Sequence, residues 1–205
     1  MLVTDRTLVS PGALPEVIDA AVAGGVDLVQ VREKDLPESE LLDLTLAICR
    51  AVGKRAQIVV NGRPAVARAA GAGLHLPERA PLPAAAAAPA GGWPLWGRSV
   101  HDPASAAAAA AEGADYLVAG ALFPTTSHPG ATPLGLVGLR RIVAAAGGVP
   151  VLAIGGITPE RVPAAIAAGA AGVAARSDVL GAADPACAAR DLRAALDAAL
   201  RQPAT

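Results

Sequence analysis

The stretch IVVNGRPAV, residues 58–66, decides the fold. It opens as an apolar run and reaches Asn61-Gly62, the dipeptide that most strongly marks a two-residue hairpin turn. A hairpin needs a returning strand. After Arg63, however, come Pro64 and the alanine-rich AVARAAGAG, a composition that suits a helix with proline in its first turn. Asn61-Gly62 therefore joins a strand to a helix.

The same alternation runs through the rest of the chain. Short apolar runs at 2–5, 27–33, 57–61, 73–76, 97–101, 115–120, 149–156 and 172–177 give eight strand candidates. Helical segments are predicted between them, over 14–24, 37–53, 64–70, 103–112, 135–146, 158–168 and 184–200. The later strands are apolar nearly throughout, as expected for a parallel sheet covered on both faces. Eight strand-helix alternations imply an α/β fold of the TIM (β/α)8 barrel type, parallel and eight-stranded. A weak repeat supports this, since a helix end leads through Gly into a strand in AGGVDLV, AAGAGLH, AEGADYL and AAGAAGV. The weakest unit is Leu76 to Gly97, where prolines break the pattern and a short or irregular fourth helix is expected.

Composition narrows the partners. A chain of 205 residues can form one sizeable core, and residues 1–205 read as a single domain. The formal net charge of −1 carries no basic patch for nucleic acid and no polybasic flank for an anionic membrane. No apolar run approaches the roughly 20 residues of a spanning helix. The N-terminus lacks the layout of a signal peptide, so a cytoplasmic protein is expected. A small-molecule ligand is favoured, and a homo-oligomer is left open. Cys49 and Cys187, each in a predicted helix, read as small buried thiols.

In such a barrel the working residues lie at the C-terminal ends of strands and in the loops that follow. After strand 2 these are Gln30, Arg32 and Lys34, which alternate and so point to one face. An amide and two cations suit a phosphate or pyrophosphate. Asn61 and Arg63 follow strand 3. After strand 7 comes Gly155-Gly156, where backbone N–H groups can approach a phosphate, with Thr158 able to cap the next helix. After strand 8 come Arg176 and Ser177, which extend the phosphate site. The loop after strand 6 carries Thr125, Thr126, Ser127 and His128, hydroxyl-rich and able to close over a ligand. Of the three histidines, His75 and His101 end strands and His128 lies in the loop; neutral imidazole serves proton transfer near pH 7. No His, Cys or carboxylate has the spacing of a metal-ligand set.

Taken in order, VTD, VQVREK, VVNGR, GLHLP, GRSVH, DYLVAGALFPTTSHPG, PVLAIGGIT and GVAARS resemble the thiamine-phosphate synthase family, including its thiazole tautomerase branch. The resemblance covers nearly the whole chain and implies a TIM barrel handling the thiazole phosphate and pyrimidine pyrophosphate precursors of thiamine. It assigns the pyrimidine pyrophosphate to Gln30, Arg32, Lys34 and Asn61. The family's synthases hold Mg²⁺ with two aspartates; the matching positions here are Gly62 and Ala80. The lysine of the strand-6 loop is His128. Gly155, Gly156, the loop around Ser177 and Thr125 to Ser127 match the thiazole-phosphate half. A missing metal cage, with GRSVH and HLP resembling the tautomerase branch, implies metal-independent aromatisation of a thiazole carboxylate phosphate. His128 or His101 would be its acid/base, because the branch's histidine position is Ala121. No cofactor is expected on that reading. The alternatives are a synthase with Mg²⁺ held through Glu78, Glu33 or the substrate's own oxygens, and a barrel that binds thiazole or thiamine phosphate without turnover.

Overall fold

A computed structural model describes residues 1–83, 93–125, 130 and 132–202. Its eight strands are β1 (Leu2–Val3), β2 (Leu28–Val31), β3 (Gln57–Asn61), β4 (Gly73–Leu76), β5 (Trp96–Val100), β6 (Tyr116–Ala119), β7 (Val151–Ile154) and β8 (Gly172–Ala174). They form one sheet in the order β1-β2-β3-β4-β5-β6-β7-β8. The pairings are parallel wherever the register is defined, from β1 to β4 and from β5 to β8. The helices are α1 (Leu14–Ala23), α2 (Glu38–Val52), α3 (Pro64–Ala69), α4 (Pro103–Ala111), α5 (Gly135–Ala145), α6 (Val162–Ala167), α7 (Ser177–Leu180) and α8 (Pro185–Leu200). This is the TIM (β/α)8 topology that IVVNGRPAV implies. Asn61 ends β3 and Pro64 begins α3, with Gly62 between them at φ +64°, a left-handed value that glycine adopts without steric cost.

Contacts divide the chain into two compact units. The first holds Met1–Leu76, Ala80–Trp96 and Arg176–Arg190; the second holds Pro77–Arg79, Gly97–Ala175 and Asp191–Thr205. In the first, the strands read as branched apolar runs because both faces are covered. Val29, Val31, Val59, Val60, Leu74 and Leu76 are all buried, as are Ile18, Leu41, Ile48 and Val66 on the helices. Gly24, at the end of α1, lies so close to α8 that a Cβ would fall 2.9 Å from that of Ala189.

In the second unit the buried set is Val100, Leu117, Val118, Val151 and Ala153 on strands, with Leu139, Ile142, Val162 and Ala165 on helices. Asp102 caps α4 by accepting from the Ser105 N–H at 2.8 Å, while Ser105 Oγ takes the Asp102 N–H at 3.3 Å, a reciprocal capping box.

The repeated helix-Gly-strand joints are borne out: Gly25, Gly71, Gly113 and Gly169 all have positive φ. Three details differ from expectation. A 3₁₀ turn over Arg6–Leu8 and the four-residue α7 are additional elements, each too short to leave a periodic signal. Thr158 precedes a 3₁₀ turn over Pro159–Arg161, and its side chain makes no capping hydrogen bond. Cys187 is exposed and Cys49 half-buried, so neither is a core thiol. The irregular fourth helix expected between Leu76 and Gly97 falls largely on residues 84–92, outside the described residues. Among the described residues, no helix is long and apolar enough to cross a membrane.

Candidate functional site

In the first unit the predicted cations collect at the C-terminal ends of β2 and β3 and just after β8. Alternation along β2 places Gln30 in the interior at 4 % exposure, Arg32 half-buried beyond it and Lys34 exposed. A chain of hydrogen bonds holds Arg32 in place. Its backbone N–H donates to Thr4 Oγ1 at 2.8 Å, and the Thr4 hydroxyl donates to Glu33 Oε1 at 2.6 Å. Glu33, buried, also accepts from the Arg6 backbone N–H at 3.2 Å and from the Arg6 guanidinium at 3.3 Å. Arg6 extends outward to grip both Asp35 oxygens, at 2.7 and 2.6 Å. Its fork holds the Asp35 carboxyl down to about 2.

Arg176 stands at the N-terminal edge of α7 with a guanidinium nitrogen 3.4 Å from Asp5 Oδ2. Ser177 is the first residue of that helix and is half-buried. Burial, then the like charge of Arg176, push the Arg32 guanidinium below its usual range, and Asp5 and Glu33 offset this only in part. Two arginines thus sit within each other's field in partly desolvated positions, an arrangement that an incoming anion relieves. Asn61 is paired in register with His75, which is fully buried in β4, and the Gly62 N–H donates to the His75 carbonyl at 2.8 Å. Arg63 reaches the Lys34 carbonyl at 3.4 Å and so joins the ends of β2 and β3.

The second unit carries the glycine turn. Gly155 and Gly156 have φ of +99° and +61°. A Cβ on Gly155 would lie 2.7 Å from that of Ala121, and one on Gly156 would lie 2.6 Å from the Pro124 carbonyl, so the turn is close-packed against the segment after β6. Arg161 ties the two together: it donates to the Gly156 carbonyl at 2.7 Å while its guanidinium lies 5.1 Å from the Phe123 ring centroid. An Arg161→Ala variant is expected to raise KM for a phosphate-bearing substrate about three- to tenfold and leave kcat within about twofold, because it loosens the turn without removing a ligand group. Steady-state kinetics read this directly.

Thr125 is half-buried in the same segment. Thr126, Ser127 and His128 lie outside the described residues. His101, just past β5, is exposed, and its Nδ1 is 3.2 Å from Glu78 Oε1 while its backbone N–H donates to the same oxygen at 3.0 Å. Burial raises the Glu78 carboxyl, but hydrogen bonds from Ser105 and His101 outweigh it and leave the group below its ordinary range. The buried Arg98 donates to the Glu78 carbonyl at 2.9 Å and pairs with Glu112 at 2.9 Å.

The donors available to a divalent cation can be tested one by one. Gly62 and Ala80 offer no side-chain ligand. Glu33 is engaged by Thr4 and Arg6, and Glu78 by His101. Among the described residues, no three His, Cys, Asp or Glu side chains are grouped as a metal site needs. These residues do not fit a protein-built Mg²⁺ cage.

Residues 1–179 match the family described as thiamine monophosphate synthase. The chain belongs to that family. Thiamine-phosphate synthase of Mycobacterium bovis is 43% identical over 205 residues, spanning 92% of this chain and 90% of that one. The enzyme of the same name from Moorella thermoacetica is 44% identical, spanning 87% and 86% of the two chains. A solved structure titled thiamine phosphate pyrophosphorylase, from Pyrococcus furiosus, superposes with TM-score 0.84 at 33% identity, covering 97% of this chain and 95% of that one.

These similarities place the chain in a thiamine-biosynthesis family and correct one expectation. The relatives are named synthases, transferases by activity, so the isomerase reading as a thiazole tautomerase is overturned. The structure offers a physical counterpart, because the position where the tautomerase branch has a histidine is Ala121, whose methyl packs against Gly155 and can carry no proton. Thr4, Arg6 and Arg161 are the participants that sequence reasoning left without a role. The 3₁₀ turn over Arg6–Leu8 brings Arg6 back to Glu33.

Proposed function

We propose that this chain is a thiamine-phosphate synthase, joining a pyrimidine pyrophosphate to a thiazole phosphate. A bond forms between the two heterocycles as the bond to pyrophosphate breaks, and pyrophosphate leaves. The observation that carries the reading is the gathering of Arg32, Lys34 and Arg63 at the ends of β2 and β3, in a chain whose relatives are named for this activity. A leaving pyrophosphate gains charge as its bond breaks, and prepositioned guanidinium groups stabilise that charge without reorganising. In this reading Gln30, Arg32, Lys34, Asn61 and Arg63 bind the pyrimidine pyrophosphate, while Gly155 and Gly156 bind the thiazole phosphate.

The exposed His101, engaged by Glu78, has no step to perform in a displacement of this kind. A second reading, a barrel that binds thiazole or thiamine phosphate without turnover, is favoured by one observation, the absence of side-chain ligands at Gly62 and Ala80. Mixing both precursors with the purified chain, with and without Mg²⁺, and measuring thiamine phosphate and pyrophosphate together separates the two. Stoichiometric appearance of both products supports the synthase. Tight calorimetric binding of thiazole phosphate with neither product formed at high enzyme overturns it in favour of the binding barrel.

A further inference from the structure

Building on the transferase reading, we propose that Thr4 is a positioning residue for the anion site: its hydroxyl fixes the backbone from which the Arg32 side chain reaches the substrate's pyrophosphate. The need arises where β2 ends. The strand stops at Val31, its ladder with β3 ends there, and its ladder with β1 ends at Gln30, whose carbonyl accepts from the Thr4 backbone N–H at 2.9 Å. Arg32 therefore lies one residue beyond the sheet. A fork that must meet two anion oxygens depends on where its backbone starts, so this residue needs a hold that the ladders do not give.

Thr4 supplies it. Its Oγ1 accepts the Arg32 N–H at 2.8 Å while its own hydrogen goes to Glu33 Oε1 at 2.6 Å. A hydroxyl has one hydrogen to give, so committing it to Glu33 leaves only lone pairs for Arg32. Glu33 is itself fixed from the other side, because the Arg6 backbone N–H donates to both of its oxygens, each at 3.2 Å. Thr4 is fully buried and Glu33 is 5% exposed, so both bonds lie in a low-dielectric setting that strengthens them. One residue thus grips β2 at two points, through its backbone at Gln30 and through its side chain at Arg32. Packing alone does not call for a hydroxyl here, since valine has the same branched shape.

A double-mutant cycle on the full chain, read by calorimetric binding of inorganic pyrophosphate with Mg²⁺ present, tests the proposal. Thr4→Val is expected to weaken binding about three- to tenfold, and Thr4→Ser, which restores the hydroxyl, to stay within about twofold of the parent. Arg32→Ala keeps the backbone N–H that Thr4 holds but lacks the side chain it aims. Adding Thr4→Val to Arg32→Ala is therefore expected to weaken binding by less than about twofold further. An equal loss in both backgrounds, or Thr4→Ser as weak as Thr4→Val, assigns Thr4 a structural role only and overturns the proposal, as does a parent chain that binds no pyrophosphate. If Arg32→Ala binds none, the comparison of Thr4→Val with Thr4→Ser decides alone. Should Thr4→Val fail to fold, Thr4→Cys carries the same cycle, because a thiol packs as a small hydrophobe and accepts hydrogen bonds poorly. Product assays keep the two readings apart. If thiamine phosphate forms and the cycle is additive, this proposal fails and the transferase reading stands. If the cycle behaves as expected and no thiamine phosphate forms, the reverse holds.

Discussion

Arg32→Ala is expected to lower kcat/KM for coupling by about a hundredfold or more, about 2.7 kcal/mol of transition-state stabilisation, while leaving the chain at least as resistant to urea as the parent. The opposite directions follow from one cause. In the free protein the Arg32 guanidinium is half-buried and pushed down by burial and by Arg176, so it is held at a cost to the fold. Removing it relieves repulsion and desolvation, and its backbone N–H keeps its bond to Thr4. In the complex the same features become useful, because a desolvated cation interacts more strongly with a departing pyrophosphate than a solvated one does. Arg32→Lys is expected to recover only part of the loss, since a point charge cannot span two oxygens. Urea midpoints and steady-state coupling rates measured on the same samples check both halves. A loss of stability paralleling the loss of activity would assign Arg32 a structural role instead.

Much of this frame was legible in the sequence, for physical reasons that can be named. β3 and β4 match their predicted spans residue for residue, and the predicted helix starts at Leu14, Pro64, Pro103 and Gly135 hold; a proline in the first turn marks the first three. The cations at the strand ends were legible for the same reason, since alternation alone aligns Gln30, Arg32 and Lys34. What was not legible depends on contacts between distant segments. Nothing in MLVTDRT announces that Arg6 folds back onto Glu33, and nothing in ITPERV announces that Arg161 bridges Gly156 and Phe123.

The tautomerase expectation failed for a related reason. Two missing aspartates were read as a change of reaction, when the loss of a ligand set limits only how charge is neutralised. Relatives named as synthases agree with a retained reaction class.

Glu33→Ala is the other large effect expected, a loss of about 2–4 kcal/mol of folding stability by urea denaturation. Glu33 is enclosed, with its side chain 3% exposed, and its removal leaves the fully buried Thr4 hydroxyl and the Arg6 N–H without their acceptor. Glu33→Gln is expected to recover part of this, because the amide oxygen still accepts from Thr4 while its NH₂ turns a donor toward the donors of Arg6. Loss of the Thr4 hydrogen bond in Glu33→Ala also loosens the Arg32 backbone, so KM for the pyrophosphate-bearing substrate should rise in that variant and less in Glu33→Gln. A residue that held a metal would behave differently, shifting the Mg²⁺ requirement while the fold stayed intact. Acid adds a further check on this cluster. Arg6 depresses the Asp35 carboxyl to about 2, so its contribution is complete above the ordinary carboxylate value of about 3.9 and is lost as pH falls from there toward 2. Asp35→Asn should therefore flatten the stability profile in that window and leave it unchanged at neutral pH apart from a constant offset. If the profile keeps its slope between pH 4 and 2, the acid sensitivity lies elsewhere and the Arg6 fork is not what steadies the turn beneath Arg32.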